Sequence, residues 1–328
     1  MIVREGLDHP AGQAAVTLPV GEEELGRHQR GGQGGAGLRH KSSIESQPER
    51  LLSALSVTPI PVRTRRLWGF AHADAENGRV TRLDLHTHAE RPELARSLPE
   101  LMAGLWPEFV LHGAVAERHD HHTSSTFAAY SLYLCAGGEV VAAGKTVPLF
   151  WDGTAQGLPG GWDGALERGV RDHLAGRAPN TLCALGAMVS RRHQGQGLSS
   201  QILGAMRALA GKHRLGALIA PVRPTRKAEY PLTPMGRYAS WRRADGLPFD
   251  PWLRTHERVG GRFRRVAEDS MTVTGTVREW EGWAGMPFPD PGEYVVPGAL
   301  CPVTIDLDRD EGRYVEPNVW MVHKPLPD

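Results

Sequence analysis

Residues 182 to 203 constrain this chain more than any other stretch: Leu-Cys-Ala-Leu-Gly-Ala-Met-Val-Ser-Arg-Arg-His-Gln-Gly-Gln-Gly-Leu-Ser-Ser-Gln-Ile-Leu. The apolar run Leu182 to Val189 reads as a strand, and Leu198, Ile202, Leu203 and Met206 recur at helical spacing after it. Between them lies a basic turn that contains Gly195 and Gly197. A strand that passes through a glycine turn into a helix N-terminus builds an anion site. Glycine lets backbone N–H groups approach a ligand, and the helix start adds partial positive charge. Arg191, Arg192 and His193 add side-chain charge beside it. The segment predicts an α/β fold with a phosphate-bearing ligand at this turn.

A chain of 328 residues with 40% hydrophobic and 23% charged residues can bury a full core. Its net charge of +1 gives no electrostatic support for nucleic acid as a partner. Cys135, Cys183 and Cys301 are far apart and odd in number, which is neither a disulfide framework nor metal-ligand spacing. No apolar run approaches the roughly 18 residues of a membrane span, and the N-terminus lacks the apolar core of a signal peptide. The expectation is a cytoplasmic protein with no membrane partner.

Residues 1 to 78 contain the glycine tract Arg30 to Gly37, few aromatics and no sustained apolar period, and read as a disordered tail. From 79 to 328 the pattern is that of one domain. Thr81 to His88 alternates as a strand, Pro92 opens a helix, and Phe127–Leu134 and Glu139–Leu149 form a hairpin about Gly137-Gly138. A helix follows over Asp163 to Ala175, then the opening strand, turn and helix, and a further strand over Gly216 to Pro221. Met271 to Thr276 and Arg313 to Met321 read as strands, with Thr276 to Trp283 as a short helix between them. This order predicts a mixed α/β sheet, not a repeating βαβ array.

In its strand, turn and helix setting, with the hairpin in front, residues 182 to 203 resemble the cofactor motif of the GNAT superfamily of acyl-CoA-dependent N-acyltransferases. That motif runs Gln or Arg, two residues, Gly, one residue, then Gly or Ala. Gln194-Gly195-Gln196-Gly197-Leu198-Ser199 matches with Ser199 in place of the final small residue, in the register chosen as starting the helix correctly. Arg192-His193-Gln194-Gly195-Gln196-Gly197 matches every letter, but is read as placing its last glycine one turn early. The resemblance covers residues 80 to 222 in organisation. It implies a GNAT-like fold with an extended Trp- and Pro-rich C-terminal part, and acetyl-CoA or another acyl-CoA as co-substrate with no metal. The pantetheine arm would lie along Gly186, Ala187, Met188 and Val189, in a V-shaped slot opened against residues 218 to 222. The pyrophosphate would sit on the N–H groups of Gln194, Gly195, Gln196, Gly197, Leu198 and Ser199, with Arg192 beside them.

The same likeness implies acyl transfer to a small-molecule or peptide amine by direct attack in a ternary complex. The alternative is a catalytically silent CoA-binding module. Either the Met188 or the Val189 N–H would polarise the thioester carbonyl, and Tyr230, or Tyr238 as the second choice, would protonate the departing thiolate. Glu139, Glu229, Glu268 and Asp269 are the carboxylates weighed as general base. Arg223, Arg226 and Lys227 form a basic group suited to a phosphate or an acidic substrate. His119, His121 and His122, and the pair His86 and His88, have metal-ligand chemistry without the usual ligand spacing. Trp241, Phe249, Trp252, Trp280, Trp283 and Trp320 are expected to serve chiefly as core.

Overall fold

The computed structural model describes residues 70–73 and 80–327. All of these belong to the unit Arg63–Asp328. Ten strands form one sheet: β1 Phe70–Ala73, β2 Val80–Thr87, β3 Leu132–Ala136, β4 Glu139–Leu149, β5 Thr181–Val189, β6 Ala217–Val222, β7 Arg262–Gly275, β8 Gly292–Tyr294, β9 Val303–Asp306 and β10 Glu311–His323. Eight α-helices accompany them: α1 Leu98–Met102, α2 Ala114–His119, α3 His121–Ser124, α4 Trp162–Leu174, α5 Leu198–Lys212, α6 Met235–Ala239, α7 Pro251–Arg258 and α8 Val277–Ala284. The mixed α/β sheet is the fold class that the sequence predicts. The stretch read as a tail lies outside the described residues apart from Phe70–Ala73, which pairs with β2. The sheet therefore starts before residue 79.

The strands run in the order β1-β2-β3-β4-β5-β6-β10-β9-β8, with β7 on the opposite edge of β10. All neighbours are antiparallel except β5 and β6, which run parallel because α5 carries the chain back across one face. The predicted hairpin closes through Gly137 and Gly138, both at positive φ. Leu198, Ile202, Leu203, Met206 and Leu209 of α5 bury against Leu83, Leu132, Leu134 and Leu182 on that face. On the other face Leu166 and Val170 of α4 meet Val147, Cys183, Ile219 and Trp320. A third cluster, beneath α8, gathers Phe109, Trp280 and Tyr314, so the C-terminal tryptophans serve largely as core. Among the described residues no helix is long and apolar enough to cross a membrane.

Two irregularities set up the site. The β4–β5 register slips between Lys145 and Thr146, leaving Leu185 as an extra residue that bends β5. The β5–β6 ladder runs only from Thr181–Ala217 to Cys183–Ile219 and then stops, although both strands continue.

Candidate active site

Beyond Cys183, β5 remains paired to β4 but not to β6. Backbone groups alternate along a strand. Ser190 donates its N–H to the Val141 carbonyl at 2.9 Å, so Met188 turns its backbone toward β4 and Ala187 and Val189 turn theirs into the gap. Of the two donors proposed for the thioester carbonyl, Val189 faces the gap and Met188 does not. The Met188 side chain is buried against α1 and β3 residues.

At the end of β5 the chain makes a short 3-10 turn over Arg191–His193 and enters α5. Gly195 and Gly197 have φ of +79° and +78°, and a Cβ built on either meets no atom within 4 Å. Gly197 is the N-cap residue and provides no side-chain cap. The N–H groups of Gly195, Gln196, Gly197, Leu198 and Ser199 accordingly have no acceptor among the described residues. A turn with two left-handed glycines and a run of free N–H groups can serve as an anion nest. Around it, His193 Nδ1, Gln196 Oε1 and Gln201 Oε1 are buried without a partner. These free donors and orphaned atoms fit a diphosphate with polar attachments. Ser199 lies inside the helix and needs no special φ, whereas both glycines do. The last position of the motif admits alanine and so calls for a small residue within the helix, and in the register Gln194 to Ser199 the middle glycine, Gly197, is the residue from which α5 starts. Arg192 itself reaches Glu100 and Glu139 at 3.2 and 3.5 Å, and Arg191 donates to the Gly104 carbonyl. The two arginines tie the loop to α1 and β4 rather than standing free beside the nest.

The gap is spanned on the α4 face by Trp162. Gly161 approaches Ser270 so closely that a Cβ there would overlap the Ser270 Cα. Trp162 donates its backbone N–H to Ser270 Oγ at 2.8 Å and its indole N–H to the Leu185 carbonyl at 2.6 Å. It thus bridges β7 to the bulge of β5. Ser270 donates onward to Asn318, whose amide donates to Glu316. Glu316 also accepts from Arg223 at 2.9 Å and from Tyr314 at 3.0 Å. A buried polar chain therefore runs from the bend in β5 to the end of β6.

Asp163 stands next to Trp162 at the start of α4, and the sequence reading missed it. One oxygen accepts the Thr272 N–H at 2.9 Å, while Oδ1 is buried without a partner. Burial, aided by the nearby Glu167 and Glu316 charges against the single Thr272 hydrogen bond, pushes its pKa up to about 6. No sequence motif signals this, because the neighbours that set it come from β7 and β10.

The tyrosines separate. Tyr238 is 1% exposed and donates to Asp250 at 2.9 Å. Burial and the Asp250 charge raise its pKa. It is a core residue and not an accessible acid. Tyr230 is half-buried, edge-on to Trp241 and Phe249, and its hydroxyl has no hydrogen bond among the described residues. Both belong to a cluster that includes Ala184 of β5 and Ala220 and Val222 of β6. Glu139 and Glu229 are held by Arg192 and Arg226. The basic group is not a phosphate clamp either. Arg223 is paired with Glu316, Arg226 with Glu229, and Lys227 donates to the Tyr230 and Leu300 carbonyls. The His122 ring lies tilted against those of His119 and His121, and His88 meets the Tyr133 hydroxyl.

Comparison with known proteins adds the decisive observation. Arginine N-acetyltransferase avaD from Aspergillus versicolor is 35% identical over 271 residues, which cover 73% of this chain and 93% of that protein. This chain belongs to the GNAT superfamily of N-acyltransferases. It is an N-acetyltransferase. No family model matches it. Among solved structures, this GNAT enzyme is similar to the loading GNATL domain of CurA from Lyngbya majuscula, at 14% identity and a TM-score of 0.47 over 74% of this chain and 97% of that one. It is also similar to the GphF GNAT-like decarboxylase in complex with isobutyryl-CoA, at 17% identity and a TM-score of 0.45 over 75% and 100% of the two chains.

Proposed function

We propose that this enzyme moves an acetyl group from acetyl-CoA to the amine of a small molecule by direct attack in a ternary complex. The observation that carries the reading is the early end of the β5–β6 ladder in front of a loop with two left-handed glycines. The pantetheine arm would take the free edge of Ala187 and Val189, and the diphosphate the N–H groups of residues 195 to 199. Acetyl-CoA, when bound, supplies a thioester whose C–S bond breaks as the C–N bond forms, the amine losing one proton and the thiolate gaining one. Val189 offers the gap-facing N–H for the acyl oxygen. Asp163, whose pKa burial raises to about 6, stands beside Trp162 and is the group assigned to take the amine's proton. Tyr230, with its hydroxyl free, is assigned to protonate the thiolate. The related fungal protein bears the name of an arginine N-acetyltransferase, and a free amino acid is the acceptor class that this favours.

Calorimetric titration with acetyl-CoA and with dephospho-CoA tests the donor side, and absence of binding by both overturns the reading. Gly197→Val places a branched side chain at φ +78° in the space before the nest and is expected to abolish binding. Ser199→Ala alters only a side chain and should bind as wild type.

A further inference from the structure

A cavity of about 500 Å3 lies beyond the end of β6. It is lined by Lys227, Thr233, Glu268, Asp269, Glu293 and Cys301, among others. Its position follows from a break in the β7–β10 ladder. Residues 268 to 270 stand opposite Pro317 alone, and Pro317 has no N–H to pair with. The break throws Glu268 and Asp269 outward, and Glu316 and Asn318 of the buried polar chain flank the same Pro317.

The charges around this cavity are unmatched. Glu268, Asp269 and Glu293 form no ion pair among the described residues, unlike Glu139, Glu229 and Glu316. Lys227 is 1% exposed. Its ammonium donates to the Tyr230 and Leu300 carbonyls, and its third N–H has no acceptor among the described residues. An ammonium kept in so little water needs an anion or a full set of acceptors. Burial pushes the Cys301 thiol beside it up to about 11, with Glu316 and Glu293 adding to the effect and Lys227 opposing it. That thiol is no nucleophile and leaves the ion charges to set the chemistry.

Three carboxylates without ion pairs, lining one cavity with an ammonium that has one N–H left over, match a ligand that carries both a cation and a carboxylate. We propose that this cavity seats the acceptor as a basic amino acid, with its guanidinium or ammonium side chain against Glu268, Asp269 and Glu293 and its carboxylate on the spare Lys227 N–H. The proposal rests on the acetyl-transfer reading and assigns the residues that choose the acceptor. A charge-assisted hydrogen bond exceeds a neutral one enough to change affinity by about tenfold or more.

The test is calorimetry of arginine, citrulline and agmatine with the wild-type protein saturated in CoA, followed by the exposed-site double variant Glu268→Gln with Asp269→Asn. Arginine is expected to bind about tenfold or more tightly than citrulline, which lacks the cation, and than agmatine, which lacks the carboxylate. The double variant should bring arginine to the affinity of citrulline while CoA affinity stays at the wild-type value. Equal binding of arginine and citrulline, or a preference that survives the double substitution, overturns the proposal. Intact CoA binding in that case leaves the donor-side reading standing, whereas loss of CoA binding by the wild-type protein would sink that reading instead.

Discussion

Replacing Asp163 by Asn should stabilise the protein while slowing its reaction. The carboxyl has a folded pKa of about 6 against an ordinary value of 3.8. Its raised pKa means that the folded state favours the neutral acid. The associated stability is fully present below pH 3.8 and is lost as pH rises through about 6. At pH 7.5 the ionised carboxylate costs the fold about 3 kcal/mol, and at pH 5 roughly half of that. Asn keeps the acceptor for the Thr272 N–H and carries no charge, but its amide inherits the unpartnered position of Oδ1, which takes back about 1 to 2 kcal/mol. Urea unfolding at pH 7.5 should therefore show the variant more stable than wild type by about 1 to 2 kcal/mol. The sharper quantity is the change in that gap with pH. It should shrink by about 1 kcal/mol at pH 5, because the amide's packing cancels in the comparison. A gap that does not shrink would refute the assigned titration, whatever its sign at pH 7.5. In acetyl transfer, the wild-type rate should fall below pH 6 as Asp163 protonates, and the variant should lose that limb together with at least about a hundredfold in kcat.

Further consequences concern other buried groups. His256 Nδ1 lies 2.9 Å from His323 Nε2, and both rings are 1% exposed. Burial, with the facing His323 against His256 and the Arg207 charge against His323, holds His256 well below 6.5 and His323 at about 4. Their stability is present above pH 6.5 and is lost as pH falls toward 4, with His323 alone costing about 2 kcal/mol at pH 5. The double variant His256→Gln with His323→Gln should flatten the urea-unfolding difference between pH 7.5 and pH 5 by at least that amount, and an unchanged difference argues against the pair as its source. Tyr230→Phe removes a hydroxyl with no hydrogen bond among the described residues and keeps the ring against Trp241 and Phe249. It should leave stability within about 0.5 kcal/mol while lowering kcat, and unaltered turnover would remove the tyrosine from the chemistry.

What was legible in the sequence was what the sequence encodes locally. The β5–turn–α5 unit is contiguous, so its apolar periods and glycines stand in one window, and the β3–β4 hairpin announces itself through Gly137 and Gly138. The sequence pattern marks strand β7 only from Met271. Its first half lies along the edge of the sheet, with Arg262, Phe263 and Arg264 exposed, and the alternation is diluted there. In the sequence Arg223 belongs to a basic group suited to a phosphate or an acidic substrate, because its partner Glu316 lies far along the chain. Asp163 escaped notice for the same reason, since burial by β7 and β10 gives an ordinary acidic residue its unusual titration.

On the proposed reading, the division between the two halves of the site follows from what each must recognise. A diphosphate is recognised by backbone N–H groups, and these converge only where consecutive residues adopt special φ values. The requirement is therefore written as glycines two positions apart in the chain. An acceptor that carries opposite charges is recognised by side chains whose spacing in three dimensions matters and whose spacing in sequence does not. Lys227 lies in the connection from β6 to α6, Glu268 in β7 and Glu293 in β8, and they are brought together by the end of β6 and the break at Pro317. Changes in the acceptor side chains leave the ladder and the nest untouched, because neither depends on them. If the cavity seats the acceptor as proposed, the fold can hold its donor chemistry fixed while the residues beyond β6 are altered to suit another amine.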